Sequence, residues 1–217
     1  MIAILDYGMG NLRSVEKALA RIDADAERTA DYARIQAADG LVLPGVGAFP
    51  EAMERIRRLG LDEIVRERAA AGTPVIGICL GMQLLFERSE ELGGAEGLGL
   101  LGGAVRPLRS GGLKVPHMGW SPVGWRGPSV LCDGLVDPEP FYFVHSLVPE
   151  PADPDDVLGE ATHGESFCAV VAHGNVYGAQ FHPEKSSTAG LRLLENFAGL
   201  CLSADAENAV GSAPERQ

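Results

Sequence analysis

The chain has 217 residues, of which 46% are hydrophobic and 22% charged, enough for one domain with a substantial core. Thirty acidic and eighteen basic residues leave a net charge of -12, which argues against a nucleic-acid partner because affinity for phosphates depends on Lys and Arg. No apolar run reaches the roughly 20 residues of a membrane span, and the N-terminal residues lack the basic flank of a signal peptide. We therefore expect a cytoplasmic protein that binds neither nucleic acid nor membranes.

Patterns typical of strands and helices alternate along the first part of the chain. The apolar runs that predict strands are Ile2–Leu5, Leu41–Gly47, which Pro44 is expected to stop, and the stretch 74–78. The helical patterns are Leu12, Val15, Leu19 and Ile22 at helical spacing, and a later segment broken near Gly60 and closed by Gly72. This alternation predicts a single α/β domain with a mixed, mostly parallel sheet flanked by helices.

The sequence changes in character after Gly93. Glycine and proline become frequent, and short β-branched or aromatic runs predict extra antiparallel or mixed strands on the same sheet. A final helix is expected at about Ala189–Leu202. We assign residues 1–202 to the domain and predict that residues 203–217, which are small and polar, form a disordered tail.

The four cysteines lie far apart in the sequence. They are Cys79, Cys132, Cys168 and Cys201. They form no C-x-x-C pair, so neither a zinc site nor a disulfide framework is predicted, and we expect neither a metal nor a cofactor. In a reducing compartment all four should be free thiols.

The stretch "GICLG" has the spacing of a nucleophile elbow, G-x-nucleophile-x-G, between a predicted strand and a predicted helix. Gly77 and Gly81 would allow the sharp turn and the close approach of neighbouring strands. Cys79 would then lie at a helix N-terminus, which favours the thiolate, and the Leu80 amide would face negative charge on a substrate oxygen. The alternative is a structural cysteine buried in a tight turn.

A thiolate nucleophile needs a proton carrier, and "FHPEKSS" offers one. His182 and Glu184 are two residues apart, so both side chains would lie on one face of an extended segment. The imidazole could move protons while the carboxylate accepts its other N–H. The alternative is a solvated turn. A zinc deaminase reading would require a following P-C-x-x-C, and only Cys201 comes later.

Two glycine-containing turns and the other histidines are less specific. In "PGVG", Gly45 and Gly47 could let a peptide flip and present a second oxyanion donor, or could simply form a turn. "YGMGN" lacks the third glycine of a dinucleotide loop and predicts a strand-to-helix turn capped by Asn11. The histidines divide into expected core or wall residues, His117 and His145, and expected solvated residues, His163 and His173.

The motifs "LPGVG", "GICLGMQLLF" and "QFHPEKSS", in that order, resemble the class I glutamine amidotransferases, and the resemblance extends from Ile2 to about Leu202. It implies a flavodoxin-like fold and hydrolysis of glutamine through a cysteine thioester. The catalytic triad implied by it is Cys79, His182 and Glu184. The implied substrate and oxyanion contacts are Gln83, Leu80 and the backbone of Val46 and Gly47.

Finer features are similar to the glutaminase subunits that serve imidazole glycerol phosphate synthesis in histidine biosynthesis. They are "DYGMGNLRSV", "KVPHMGWSPV", "FYFVHS" and Lys185 after "HPE". This similarity implies a heterodimer with a (β/α)8-barrel cyclase. The residues that it places at or near the interface are Asn11, Met118, Trp120, Tyr142 and Lys185.

Two residues depart from the family pattern. Ser121 stands where Asn is usual after "MGW", and Leu147 stands where an aromatic residue is common after "HS". The alternative functions are a glutaminase that serves another acceptor enzyme and a non-catalytic thiol sensor that uses the same elbow. The sensor would have no use for His182 and Glu184.

Overall fold

The computed structural model describes the backbone of residues 1–211 and the side chains of residues 1–203. Within this range, thirteen strands form two sheets. The strands are β1 (Ile2–Leu5), β2 (Ala26–Thr29), β3 (Gly40–Gly45), β4 (Val75–Cys79), β5 (Phe86–Ser89), β6 (Ala95–Glu96), β7 (Leu101–Pro107), β8 (His117–Trp125), β9 (Glu139–His145), β10 (Leu147–Pro151), β11 (Val157–His163), β12 (Glu165–His173) and β13 (Val176–Ala179). The α-helices are α1 (Leu12–Arg21), α2 (Tyr32–Gln36), α3 (Phe49–Arg58), α4 (Leu61–Ala70), α5 (Leu80–Leu84) and α6 (Ser187–Gly211).

The larger sheet has nine strands in the order β2-β1-β3-β4-β13-β12-β11-β8-β9. The first five strands in this order are mutually parallel. From β13 onward each neighbouring pair is antiparallel. The mixed α/β sheet predicted from the sequence is therefore confirmed, with the antiparallel strands of the second half at one side.

The prediction that all later strands join this sheet is wrong for three of them. β6, β7 and β10 form a second, four-stranded sheet with β5, in the order β10-β7-β5-β6. Phe86, Leu101 and Val105 are fully or almost fully buried in the same apolar cluster as Leu84 of α5. The apolar side chains of this second sheet therefore pack into the core beside α5.

β1, within the parallel part of the larger sheet, is buried on both faces. Leu5 of β1 lies in a core that includes Phe49 of α3, whereas Ile4 lies in a second core that includes Leu19 of α1 and Phe197 of α6. Successive side chains of a strand point to opposite faces, so helices on both sides are needed to cover such a strand. Because both faces of such a strand are covered, the polar side chains of a site are expected at the strand ends.

Pro44 does not end the second strand as expected. β3 continues to Gly45, and Pro44 is paired in register with Ile78 of β4. On its other side, β3 pairs with β1 only as far as Val42, so the missing N–H of Pro44 removes no ladder hydrogen bond there. The helix break near Gly60 is confirmed, and this residue has the left-handed φ of 68°.

The last helix, α6, is longer than the predicted Ala189–Leu202. It packs Leu193, Leu194 and Phe197 into the core, and its residues 203–211 fall within the segment predicted as a tail. Residues 212–217 of that segment lie outside the described residues, so the domain boundary near residue 202 stays a prediction. Across the described helices, none combines the length and apolarity required to cross a membrane.

Candidate active site

The edge of the sheet where β4 and β13 end brings the predicted catalytic residues together. The two strands are parallel neighbours, with Ala179 in register with Ile78. Cys79 ends β4, and His182 follows β13 by three residues, so both lie at the carboxyl ends of adjacent strands. Ligand sites of open α/β sheets form at these ends.

Cys79 occupies a strained elbow between β4 and α5. Its φ of 55° and ψ of -109° are unusual for a residue that carries a side chain. A Cβ atom at Gly77 would lie 2.5 Å from the carbonyl carbon of Gly81, and one at Gly81 would lie 1.7 Å from the carbonyl oxygen of Leu43. The two glycines of the motif are therefore required sterically.

His182 and Glu184 form a buried pair beside the nucleophile. His182 Nδ1 lies 2.9 Å from Glu184 Oε1, and their side chains are only 4% and 1% exposed. Burial disfavours a charge on the imidazole, but hydrogen bonds to Cys79 and Glu184 outweigh burial and raise the pKa of His182 to about 9. This raised pKa favours the protonated imidazole beside Cys79.

Two further groups contact the Cys79 sulfur. Gln180 Nε2 lies 3.8 Å from Sγ and donates to it, and the carbonyl oxygen of Val144 lies 3.8 Å away on β9. Gln180 is fully buried. Sequence reasoning did not single it out, although it precedes His182 by two residues and so shares its face of an extended segment.

The nucleophile opens onto a cleft of about 290 Å³. Its lining residues come from several strand ends and loops. They are Val46, Gly47, Cys79, Leu80, Gln83, Glu91, Pro116, Val144, His145, Ser146, Leu147, His182 and Lys185. The cleft therefore combines the elbow, the His182 segment and the turn after β3, which the sequence analysis had treated as separate motifs.

Gln83 lies in this cleft and is held by the protein itself. Its Nε2 atom donates to the carbonyl oxygen of Leu147, at 3.2 Å, and to Gln180 Oε1, at 3.0 Å. The side chain is buried. Contact between Gln83 and a substrate stays a prediction.

The turn after β3 forms another wall of the cleft. Val46 is exposed, and Gly47 has a φ of 114° that favours glycine. Glu91, which sequence reasoning missed, accepts a hydrogen bond from the Phe49 amide at 2.6 Å. Its carboxylate thus holds the start of α3 immediately after the turn, where a negative charge is favourable.

The remaining histidines differ partly from expectation. His117 and His145 are buried and hydrogen-bonded, as predicted. His163 was expected to be solvated, but its ring stacks on His117 with centroids 4.2 Å apart, so it is only half-buried rather than free. His173 is exposed and pairs with Asp156.

The residues predicted to face a partner differ in exposure, and Lys185 is the one among them that lines the cleft. Met118 and Trp120 on β8 are 63% and 54% exposed, and the Trp120 ring meets Tyr142 edge to face. Lys185 is exposed and lines the cleft. Asn11 occupies the cap position of α1, but its side chain makes no capping hydrogen bond, so that part of its prediction is wrong.

The chain is similar to known proteins over most of its length. The family model "Glutamine amidotransferase class-I" matches residues 3–200. Imidazole glycerol phosphate synthase subunit HisH of Bacillus cereus (strain G9842) is 50% identical over 200 residues, which are 92% of this chain and 95% of that protein. The protein of the same name from Moorella thermoacetica is 50% identical over 199 residues, which are 92% of this chain and 94% of that protein.

Solved structures share the fold at lower identity. A glutamine amidotransferase structure superimposes with a TM-score of 0.73 at 21% identity, covering 92% of this chain and 98% of that one. PurLQS from Thermotoga maritima gives a TM-score of 0.69 at 19% identity, covering 93% and 97%. Together with the family match over nearly the whole described chain, these findings establish that the chain belongs to the class-I glutamine amidotransferases.

Proposed function

We propose that this chain is the glutaminase subunit of imidazole glycerol phosphate synthase. It hydrolyses glutamine to glutamate and ammonia and passes the ammonia to a cyclase that makes imidazole glycerol phosphate and AICAR in histidine biosynthesis. Relatives that are 50% identical over nearly their whole length are named imidazole glycerol phosphate synthase subunit HisH. The observation that carries the chemistry is the Cys79 elbow facing the hydrogen-bonded pair of His182 and Glu184.

The first half of the reaction acylates the enzyme. The Cys79 thiolate attacks the carbon of the glutamine side-chain amide, and the carbonyl electrons move to oxygen. His182, protonated beside the sulfur, gives its proton to the amide nitrogen. The C–N bond then breaks, ammonia leaves, and a thioester remains on Cys79.

The second half hydrolyses the thioester. His182, now neutral, takes a proton from water as the water oxygen attacks the thioester carbon. The C–S bond breaks, which returns the thiolate and the imidazolium and releases glutamate. Glu184 accepts a hydrogen bond from the Nδ1–H of His182 throughout and so keeps Nε2 directed at the reacting atoms.

Each tetrahedral intermediate carries a negative oxygen that needs donors. The Leu80 amide lies in the first turn of α5, where backbone N–H groups have no partner within the helix. The second donor comes from the Val46–Gly47 backbone, which glycine at position 47 allows to reorient. Removing one such donor typically costs a factor of about 100 to 1,000 in rate.

The partner is a (β/α)8-barrel cyclase bound as a heterodimer over the mouth of the cleft. Ammonia released into bulk water would largely become ammonium, so delivery requires a covered route. Exposed Met118 and Trp120 and the nearby Tyr142 supply the apolar part of this surface. Asn11 and Lys185 supply polar contacts at its edge.

The deciding experiment measures glutamate release from glutamine. The purified chain is assayed alone, with the barrel cyclase, and with the cyclase plus its nucleotide substrate. We expect strong stimulation in the full mixture and its loss in Cys79→Ala. Cys132→Ala is the matched control, because this half-buried thiol lies outside the cleft.

Three results would overturn parts of the proposal. Glutamate release by Cys79→Ala near the wild-type rate would show that Cys79 is not the nucleophile. Stimulation by a different acceptor synthase, and not by the barrel cyclase, would keep the glutaminase and change its partner. No hydrolysis in any mixture, with selective peroxide oxidation of Cys79, would favour a thiol sensor.

A further inference from the structure

A chain of hydrogen bonds leads from β8 to the wall of the cleft. Ser121 Oγ lies 2.9 Å from His117 Nε2, and His117 Nδ1 lies 2.9 Å from His145 Nε2. His145 Nδ1 lies 2.9 Å from the carbonyl oxygen of Leu147. Both histidines are buried.

The direction of every bond follows from the last one. A carbonyl oxygen only accepts, so His145 carries its proton on Nδ1 and accepts at Nε2. His117 must then donate from Nδ1 and accept at Nε2, where Ser121 donates its hydroxyl proton. Two neutral imidazoles in the Nδ1–H form satisfy all four ring nitrogens, whereas the opposite tautomer of either ring would break the chain.

The hydrogen bonds continue from the Leu147 carbonyl to the nucleophile through two glutamines. The same carbonyl oxygen accepts a hydrogen bond from Gln83, which also donates to Gln180. Gln180 in turn donates to the Cys79 sulfur. The Leu147 carbonyl oxygen is therefore the shared acceptor that connects the two histidines to the two buried glutamines.

We propose that Ser121 and His117 are positioning residues that act on the cleft through His145. They hold the Leu147 carbonyl in place. The side-chain amides of Gln83 and Gln180 then keep the hydrogen bonds that direct one N–H of Gln180 at the Cys79 sulfur. This inference rests on the proposed glutaminase activity. It gives Ser121, one of the two departures from the family pattern, a defined role as the terminal donor.

The surroundings of the pair keep both rings neutral. Burial, and then the nearby His163, lower the pKa of His117 to about 4. Burial also lowers the pKa of His145 to about 4; the hydrogen bond to the Leu147 carbonyl opposes this shift, and the nearby His117, His163 and His182 add to it. Glu91 and Lys185 are the other charged groups that line the cleft beside His145.

Removing the terminal donor tests the role in activity. In Ser121→Ala we expect kcat/KM for glutamine to fall about fivefold, as for one lost neutral hydrogen bond. Ser121→Thr keeps the hydroxyl and should stay within about twofold of the wild type. Ser166→Ala on the exposed face of β12 is the matched control and should leave the rate unchanged.

The pH profile separates positioning from a merely structural role. The Ser121 hydroxyl donates to neutral His117, so its loss destabilises the neutral form and raises the pKa of that ring. The acid limb of kcat/KM should therefore move to higher pH in Ser121→Ala and return in Ser121→Thr. An acid limb that coincides with that of the wild type would overturn the proposal.

Nitrogen chemical shifts of the histidine rings test the series of hydrogen bonds without any assay of activity. In the wild-type chain at pH 7, both His117 and His145 should carry the proton on Nδ1. A proton on Nε2 of either ring would overturn the inference even if glutamine hydrolysis is normal. Absence of glutamate release by the wild type with every partner would instead overturn the proposed function. The ring shifts would still show in which direction the hydrogen bonds run.

Discussion

The hydroxyl of Tyr7 donates a hydrogen bond of 2.6 Å to the backbone carbonyl of Pro44. Tyr7 is buried two residues after β1, and Pro44 lies in β3, just before the Val46–Gly47 turn. Burial, and then the nearby Cys79 sulfur, raise the pKa of Tyr7, so the phenol stays a neutral donor. One hydroxyl thus ties β1 to the turn that faces the nucleophile.

Tyr7→Phe should weaken both stability and catalysis. The variant leaves the Pro44 carbonyl without its partner, which should cost about 1 to 3 kcal/mol of unfolding free energy. It should also lower kcat/KM about tenfold, because the turn loses its anchor. Urea unfolding and glutamate release measure the two effects. Tyr32→Phe is the control, since that exposed tyrosine donates to Glu67 on the surface, and equal behaviour of both variants would contradict the prediction.

Glu184→Gln should lower kcat about 100-fold or more, because a neutral amide cannot stabilise the protonated His182 ring. The carboxylate is one of the groups that raise the pKa of His182 to about 9, so its loss should lower that pKa. A proton NMR titration of His182 measures the shift. Glu195→Gln on the exposed side of α6 should change neither quantity, and an unchanged His182 titration in Glu184→Gln would refute the expected role.

The pair of His117 and His145 should make the fold sensitive to acid. Their pKa values lie at about 4 in the folded chain, against 6.5 for an ordinary histidine. Between these values the unfolded chain binds more protons, so the stabilisation is complete above about pH 6.5 and is lost as the pH falls towards 4. Urea unfolding between pH 7 and 4.5 should show this decline, and His117→Gln should reduce its slope. Equal slopes would argue against neutral histidines in the fold.

Gly81→Ala should prevent normal packing of the elbow. The new Cβ would lie 1.7 Å from the Leu43 carbonyl oxygen, which is backbone and cannot move aside cheaply. We expect a loss of about 3 kcal/mol or more in unfolding free energy, or no soluble protein. Gly127→Ala is the control, because no heavy atom lies within 4 Å of a Cβ there. Similar melting temperatures of the two variants would show that the elbow adapts.

Trp120→Ala should weaken cyclase binding about tenfold or more while leaving the fold intact. A large exposed aromatic residue beside a proposed interface is a typical energetic centre of such contacts. Titration of the cyclase by calorimetry measures the affinity, and circular dichroism checks the fold. Leu59→Ala removes a similarly exposed apolar side chain at the end of α3 and should bind normally. Normal binding by Trp120→Ala would move the interface elsewhere.

The sequence by itself determined the elements with strong local signals. The glycines around Cys79 demanded a strand-to-helix elbow, since any larger residue collides with backbone there. The apolar periodicity of α1 and the break at Gly60 likewise identified helices that the structure contains. Each of these features depends on residues that are close together in the sequence, so a local sequence pattern was sufficient to predict it.

Only the tertiary structure decided what depends on contacts between distant segments. The pairing of β13 with β4 placed His182 beside Cys79, and no local pattern indicates which strands are neighbours. The ring of His163 was expected in solvent, yet it stacks on His117 from another strand. Burial of polar groups such as Gln180, and the order of hydrogen bonds among them, follow from packing, because a buried donor must find its acceptor wherever the fold supplies one.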